Sequence, residues 1–522
     1  MSARWLHGVA LVAALLLLDV SLTFHNVWPT PAISWRGEIS VELAAYLLFS
    51  ILVRLKADTT NGRRMSGTAL KLITAVWVFF VLGRYADVTA TALFGRDINL
   101  YWDLRFIPDV VSLLAKAAHV WLALGVALAI VIVVGVLYVL LRWALGRVAD
   151  AAQDRRERIV LAAFAAFVLI PGVPIARPVT LTYARQIGVA VRAMRGTTTI
   201  PPSPAMTPDL ARVKGADVYL IFLESYGAVT FDRPEFARGL AAPRAAFERA
   251  IRDTKRDLVS AFVTSPTFGG NSWLAHISLM SGVEVRDPDV NAMLMAQKRD
   301  TMPTAFKRQG YRTVALMPGL WQAWPEGQFY GFDQIYGGAR FEYPGPEFGW
   351  FDIPDQYALA KFDALEAARI GRPRLFMFFP TISTHTPFRP TPPYQPDWKR
   401  ILTDQPFDQP DLDRSFDQQA DWLNLGPSYV DAMAYTYATL TGYLQTRADR
   451  DFVMILLGDH QPPALVSGEG APWDVPVHVI ASRPDVLDRL VSRGFRRGIT
   501  PARPDLSHMN ALLPILLDAF SH

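Results

Sequence analysis

The chain has 522 residues, more than one ordinary domain holds, and 51% of them are hydrophobic. Its formal net charge of +4 comes without the concentrated basic face that a nucleic-acid partner requires. It contains no cysteine, which excludes disulfides, thiolate metal sites and a cysteine nucleophile.

The first third reads as membrane. Leu6 to Phe24 is a long apolar run without a small-residue cleavage site, so it is an uncleaved span rather than a signal peptide. Further runs at Ile39 to Val53, Leu70 to Ala90, His119 to Leu141 and Ile159 to Ile175 predict five spans within residues 1–176. Val110 to Ala118 reads as a re-entrant or interfacial piece. Arg54, Lys56, Arg63 and Arg64 lie between the second and third spans, and Arg142, Arg147, Arg155, Arg156 and Arg158 between the fourth and fifth. By the positive-inside rule both loops are cytoplasmic, and an odd number of spans puts everything after Ile175 outside. Thr91 to Asp109, carrying Asp97, Asn99, Tyr101, Trp102 and Asp103, is then a solvated outer loop. Asp19, Glu42 and Arg84 are read as ionisable groups snorkelling from helix ends.

Residues 177–213 form a connector. Thr180 to Met194 sets Leu181, Ile187, Val189 and Val191 against Arg185 and Arg192, an amphipathic helix suited to a membrane surface. Thr197 to Pro208, rich in threonine and proline, reads as a linker. Residues 214–522 then change to a globular α/β pattern. Strands at Val218–Leu223, Thr313–Met317, Leu375–Phe379, Phe452–Leu457 and Val475–Ala481 alternate with helical stretches, as parallel βαβ units require. Pro390 to Pro427 reads as a surface insertion. His508 to Phe520 reads as a final helix that Pro514 kinks or begins.

The chemistry sits just past the strand ends, where open parallel sheets bind ligands. Glu224 follows the first strand, Trp324 lies beyond the second, His385 beyond the third, and Asp459-His460 closes the fourth. Separately, Gly269-Gly270-Asn271-Ser272 precedes Trp273, Leu274, Ile277 and Met280 at helical spacing, so a helix starts near Ser272. A hydroxyl there faces unpaired N–H groups and the positive end of the helix dipole. Each motif has an ordinary reading alone: a turn, a helix cap, a loop. Together Glu224, Asp459 and His460 make a two-carboxylate, one-imidazole set suited to a divalent ion, with Ser272 as fourth ligand. Oxygen-rich ligands suit Mn²⁺ or Mg²⁺, and Zn²⁺ is tolerated by the same set. An ion bound to the seryl oxygen would lower its pKa and neutralise phosphoryl charge.

These residues resemble the sulfatase-like branch of the alkaline phosphatase superfamily, in particular membrane enzymes such as lipoteichoic acid synthase and the lipid A phosphoethanolamine transferases. Glu224 in Leu-Ile-Phe-Leu-Glu-Ser and the pair in Leu-Leu-Gly-Asp459-His460 match the family's metal-binding strand ends. Ser272, nine residues before Ser281, occupies the nucleophile position usually held by threonine. His385 in Ser-Thr-His-Thr-Pro-Phe matches a substrate-site histidine, and Trp324 a substrate-site tryptophan. The resemblance implies an alkaline-phosphatase-like, parallel-rich sheet flanked by helices and preceded by a helical membrane domain. There are departures. Pro325-Glu326 stands where the synthase-like members place an arginine, and Leu274 and His276 replace the proline and arginine around the oxidised nucleophile of true sulfatases. The residues at hand to contact substrate are Asn271, Trp324, His276 one turn after Ser272, and His478 in the last strand.

The expectation is a membrane-anchored, metal-dependent phosphoryl or phospho-headgroup transferase working through a phospho-serine at Ser272. The donor is a phospholipid or similar molecule, the acceptor an envelope glycan or lipid, and no nucleic acid is involved. A hydrolase with the same intermediate, and a non-catalytic membrane sensor or scaffold keeping the fold, are the alternatives.

Overall fold

The computed structural model describes residues 3–27, 32–60, 66–94, 120–168, 170–195, 199–321, 324, 326–349 and 353–522. The chain divides into two compact units, residues 1–92 with 96–197, and residues 198–522 with 93–95.

The first unit is helical: α1 (Ala3–Thr23), α2 (Val41–Thr60), α3 (Gly67–Phe94), α4 (Val120–Ala151), α5 (Arg155–Phe167) and α6 (Val179–Arg195). Two-residue strands β1 (His25–Asn26) and β2 (Ile33–Ser34) pair antiparallel. Three stretches are long and apolar enough to cross a bilayer: Trp5–Thr23, Gly67–Ala92 and Ala127–Ala151. The expected count of five is therefore not met among the described residues. Helix α2 is 20 residues long but carries Glu42, Arg54, Lys56 and Asp58. Helix α5 has 13 residues, a rise of about 20 Å against a hydrocarbon core of about 30 Å. Most of the expected outer loop at 91–109, the piece at 110–118, and Arg63 and Arg64 lie outside the described residues.

The three ionisable groups expected to snorkel do not. Asp19, Glu42 and Arg84 are buried. Glu42 accepts from the Thr180 backbone N–H at 2.9 Å and its hydroxyl at 3.0 Å, satisfying first-turn donors of α6. Asp19 accepts from the Ser40 N–H at 2.9 Å, and Arg84 donates to the Phe24 carbonyl at 2.9 Å. On α6, Leu181 and Ile187 are exposed.

The second unit is built on a nine-stranded sheet. Its strands are β3 (Asp217–Leu223), β4 (Asp257–Thr264), β5 (Arg312–Met317), β6 (Gln334–Gly337), β7 (Leu375–Pro380), β8 (Phe452–Gly458), β9 (Asp474–Ala481), β10 (Arg496–Arg497) and β11 (Ser507–His508). The order is β10-β4-β9-β8-β3-β7-β5-β6, with β11 on β4. Strands β8, β3, β7, β5 and β6 are mutually parallel. Strand β9 runs antiparallel to both β8 and β4, a correction to the expected parallel unit at Val475–Ala481.

Alternation decides which side chain faces which layer. Val218, Leu220 and Phe222 of β3, with Val453, Ile455 and Leu457 of β8, join the core formed with α7 (Ser272–Ser281) and the C-terminal helix Met509–Phe520. Tyr219, Ile221 and Leu223, with Phe452, Met454 and Leu456, join the opposite core with α8 (Asp355–Phe362) and α9 (Gly426–Thr446). The C-terminal helix, α10, runs through Pro514 without starting there.

Strand β4 has no counterpart in the sequence reading because Ser260 interrupts its apolar run. That serine is fully buried, its hydroxyl 2.6 Å from His478 Nδ1 and 2.6 Å from the Gly498 carbonyl. The stretch 390–427 is not only a surface insertion: Trp398, Ile401, Phe407 and Leu425 are part of the second core. The later part of the expected linker is also packed, with Met206 buried in the first core.

Candidate functional site

The parallel register pairs Leu223 with Gly458, so the next residues, Glu224 and Asp459, leave adjacent strands side by side at the C-terminal edge of the sheet. Ser225 then turns back with φ 58°, a left-handed conformation. Its N–H donates to Asp459 Oδ1 at 2.8 Å, and the His460 N–H donates to the same oxygen at 2.7 Å. The Ser225 hydroxyl donates to Glu224 Oε1 at 2.9 Å. Gly458 permits this close turn, since a Cβ there would lie 1.9 Å from the Tyr226 carbonyl oxygen.

Ser272 comes from the loop after β4. The loop is tied to the Asp459 segment by the Ser265 hydroxyl, which donates to the Asp459 carbonyl at 2.5 Å, and by the Gly269 N–H, which donates to the Gln461 carbonyl at 3.1 Å. Gly269, Gly270 and Asn271 all have positive φ, and Ser272 opens α7. Its Oγ lies 3.0 Å from Glu224 Oε2 and 3.2 Å from His460 Nε2. His460 Nδ1 donates to the Gln461 carbonyl at 2.7 Å, which makes Nε2 the lone-pair nitrogen facing the serine.

The donor set fits a single cation. One atom each from Glu224, Asp459 and His460 lie within 4.8 Å of one another, close to twice the ~2.1 Å bond of Zn²⁺ or Mg²⁺ to oxygen or nitrogen. Burial, and then the Glu224 carboxylate, push Asp459 up to about 7. Burial works to lower His460, but the Asp459 and Glu224 carboxylates outweigh it and raise the imidazole. Two buried carboxylates held together are the charge that a divalent ion offsets. Residues 279–475 match the Sulfatase family model.

The matched residues include His385, Asp459 and His460 and begin after Glu224 and Ser272. The chain resembles the solved lipoteichoic acid synthase LtaP of Listeria monocytogenes (16% identity, 56% of this chain and 70% of that one, TM-score 0.38). It also resembles the lipooligosaccharide phosphoethanolamine transferase EptA of Neisseria meningitidis (15%, 100% and 96%, TM-score 0.47). A third likeness is to the phosphoglycerol transferase GacH of Streptococcus pyogenes (12%, 64% and 80%, TM-score 0.36). No curated protein matches the chain.

The remaining candidates fall in different places. His385 lies on the loop after β7, half-buried, with Nδ1 donating to the Thr386 carbonyl at 2.9 Å. Burial lowers its pKa, against the pull of that hydrogen bond. His276 is buried with its ring centroid 4.5 Å from that of Phe222 and 5.3 Å from that of Phe378. Its Nε2 has no hydrogen-bond partner among the described residues, and burial lowers it to about 4. His478 is engaged at both nitrogens, by Ser260 and by the Tyr226 hydroxyl at 3.0 Å. It therefore reaches the Glu224 turn only through Tyr226. Asn271 supplies the left-handed turn before Ser272, and its side chain makes no capping bond. Trp324 packs against Tyr330 at 5.6 Å and joins the first core, while its neighbours at 322, 323 and 325 lie outside the described residues.

Sequence reasoning missed the polar residues that hold these groups. Thr381 Oγ accepts from the Glu224 N–H at 3.0 Å, and the Thr384 hydroxyl donates to the Glu224 carbonyl at 2.5 Å. The Tyr429 hydroxyl donates to the Ser225 carbonyl at 2.8 Å. The available signal was local: Ser225 adjoins Glu224, and both threonines lie in the His385 motif.

Proposed function

We propose that this chain is a metal-dependent transferase moving a phosphoryl or phospho-headgroup from a phospholipid or similar donor to a hydroxyl of an envelope glycan or lipid. The reaction passes through a covalent phospho-serine at Ser272, at the outer face of the inner membrane. The observation that carries this reading is the position of Ser272 Oγ, within hydrogen-bond distance of both Glu224 and His460 at the first residue of a helix. Glu224, Asp459, His460 and Ser272 would hold one divalent ion, Mn²⁺, Mg²⁺ or Zn²⁺, which when bound supplies Lewis-acid stabilisation of negative charge.

The chain's own residues supply the rest. The Ser272 oxygen attacks phosphorus, a seryl phosphoester forms, and the bond to the donor's leaving oxygen breaks. The seryl proton leaves with the departing alcohol. An acceptor hydroxyl then attacks the same phosphorus, its proton returns to Ser272, and the modified acceptor departs. His385, kept neutral by burial, is the imidazole assigned to proton handling at the leaving and acceptor oxygens. Trp324, His276 and Asn271 remain the candidates for substrate contact, with Trp324 lining the donor pocket, whereas His478, engaged at both nitrogens, acts only through Tyr226. The apolar helices of the first unit support a membrane donor, because reactants held at one bilayer surface lose less freedom on meeting. The names of GacH and EptA carry transfers of the same class.

The test is to incubate the full-length protein with headgroup-labelled phospholipids and weigh the peptide carrying Ser272. The expected result is an adduct with the mass of the phosphorylated headgroup, absent in Ser272→Ala. Turnover in Ser272→Ala equal to the parent refutes the mechanism, and turnover without any acceptor makes the site a hydrolase.

A further inference from the structure

The segment Thr381 to His385 is held from two sides. Thr381 and Thr384 bond the backbone of Glu224 through their hydroxyls. The two residues between them turn the other way: the Ile382 N–H donates to Asp355 Oδ1 at 2.8 Å and the Ser383 N–H to Asp355 Oδ2 at 3.0 Å. The Asp355 N–H donates back to Ser383 Oγ at 3.2 Å, and the His385 N–H closes the turn on the Ile382 carbonyl at 3.0 Å. Asp355 opens α8 and is 1% exposed. Among the described residues no arginine, lysine or histidine pairs with it, and burial lifts its carboxyl to about 6. The titratable group facing it from a neighbouring element is Tyr435 of α9. The adjacent Gln356 fastens the next stretch of chain, its Oε1 accepting from the Gln395 N–H at 3.0 Å.

Burying a carboxylate without a cation is unfavourable, and an amide of the same shape would be cheaper to bury. A side-chain amide offers only one acceptor atom, however, whereas this turn presents two parallel N–H donors. We propose that Asp355 is a positioning residue of this site, its carboxylate setting the Thr381–His385 turn and, through it, both the Glu224 backbone and the His385 imidazole. This rests on the transferase reading above. Asp355 has no bond to Glu224, Ser272, Asp459 or His460 among the described residues, so it acts only through the turn.

The experiment compares the full-length parent with Asp355→Asn in detergent. It measures Mn²⁺ affinity by calorimetry, thermal midpoint, and kcat and KM for release of labelled headgroup from phospholipid vesicles. The expected result is a fall of about 10- to 100-fold in kcat or in Mn²⁺ affinity, the size typical of losing an outer support, with KM for the donor held within about threefold and the fold retained. Parent-like kcat and Mn²⁺ affinity in a folded Asp355→Asn overturn the proposal, as does a change confined to KM. If Asp355→Asn does not fold, Thr381→Val cuts the same linkage at the Glu224 N–H, and parent-like values there overturn it. A parent that binds no Mn²⁺ and forms no Ser272 adduct refutes the transferase reading itself and takes this proposal with it.

Discussion

Replacing His276 with leucine should make the protein less acid-sensitive, and the size of the effect follows from where the ring sits. The imidazole is wedged between Phe222 and Phe378, with Nε2 unpartnered among the described residues. Burial lowers its pKa from an ordinary 6.5 to about 4. In the unfolded chain the ring takes a proton near 6.5, whereas in the fold it does so only near 4. Between these values the unfolded state binds more protons, so stability falls as pH falls. At 1.36 kcal/mol per pH unit the loss is about 3 kcal/mol, complete by pH 4 and absent above 7. At roughly 2 °C per kcal/mol for a domain of this size, that is about 6 °C in thermal midpoint. His276→Leu removes this contribution, and at pH 7.5 it also removes the desolvation cost of an unpaired nitrogen, about 1–3 kcal/mol. The assay is thermal unfolding of detergent-solubilised parent and variant at pH 7.5 and pH 4, read by tryptophan fluorescence. His478, which burial lowers to about 3, is common to both proteins and drops out of the difference. If the two midpoints fall by the same amount between the two pH values, the argument for a buried neutral His276 is wrong.

Three further outcomes follow from the same geometry. Stripping divalent ions with a chelator should abolish turnover, and returning Mn²⁺ at a hundredfold its Kd should restore it while stabilising the fold by about 2.7 kcal/mol, read as a rise in thermal midpoint. Gly458→Ala should destabilise by about 3 kcal/mol or more in denaturant midpoint, because the new methyl meets the Tyr226 carbonyl at 1.9 Å and neither backbone can yield. Arg372→Ala should cost about 3–5 kcal/mol in thermal or denaturant unfolding, because it leaves the buried Asp217 carboxylate without the guanidinium that holds it at 2.8 and 2.6 Å.

The fold was legible where apolar runs were unbroken. Strands β3, β5, β7, β8 and β9 were all located within a residue or two, because each carries an unbroken or nearly unbroken run of buried side chains. Direction was not legible for β9, since an antiparallel strand inside a sheet buried on both faces has the same composition as a parallel one. Strand β4 was lost to a serine whose partner, His478, lies 218 residues away. In the first unit, hydropathy located the apolar runs but not their ends. Glu42 looked like a group reaching for water, although its partner Thr180 begins a helix 138 residues later.

The candidate site was legible for a different reason: strand ends advertise their chemistry, but not what holds it. Glu224 continues the alternation Val218, Leu220, Phe222, and Asp459 continues Val453, Ile455, Leu457, so both acids point to the face that carries α7 and Ser272. A one-residue slip between β3 and β8 would keep every apolar residue in a core, since both faces are buried, yet it would separate the two acids. Hydrophobic pattern therefore cannot set this register. The polar bond at the edge can, from the Ser225 N–H to Asp459; Thr381 and Thr384, on the turn that Asp355 holds, tie Glu224 in the same way to the end of β7. Ser225, Thr381, Thr384 and Asp355 do not stand out in the sequence as catalytic groups. They read as turn punctuation because each spends its side chain, or its N–H, on fixing where a neighbour's backbone lies.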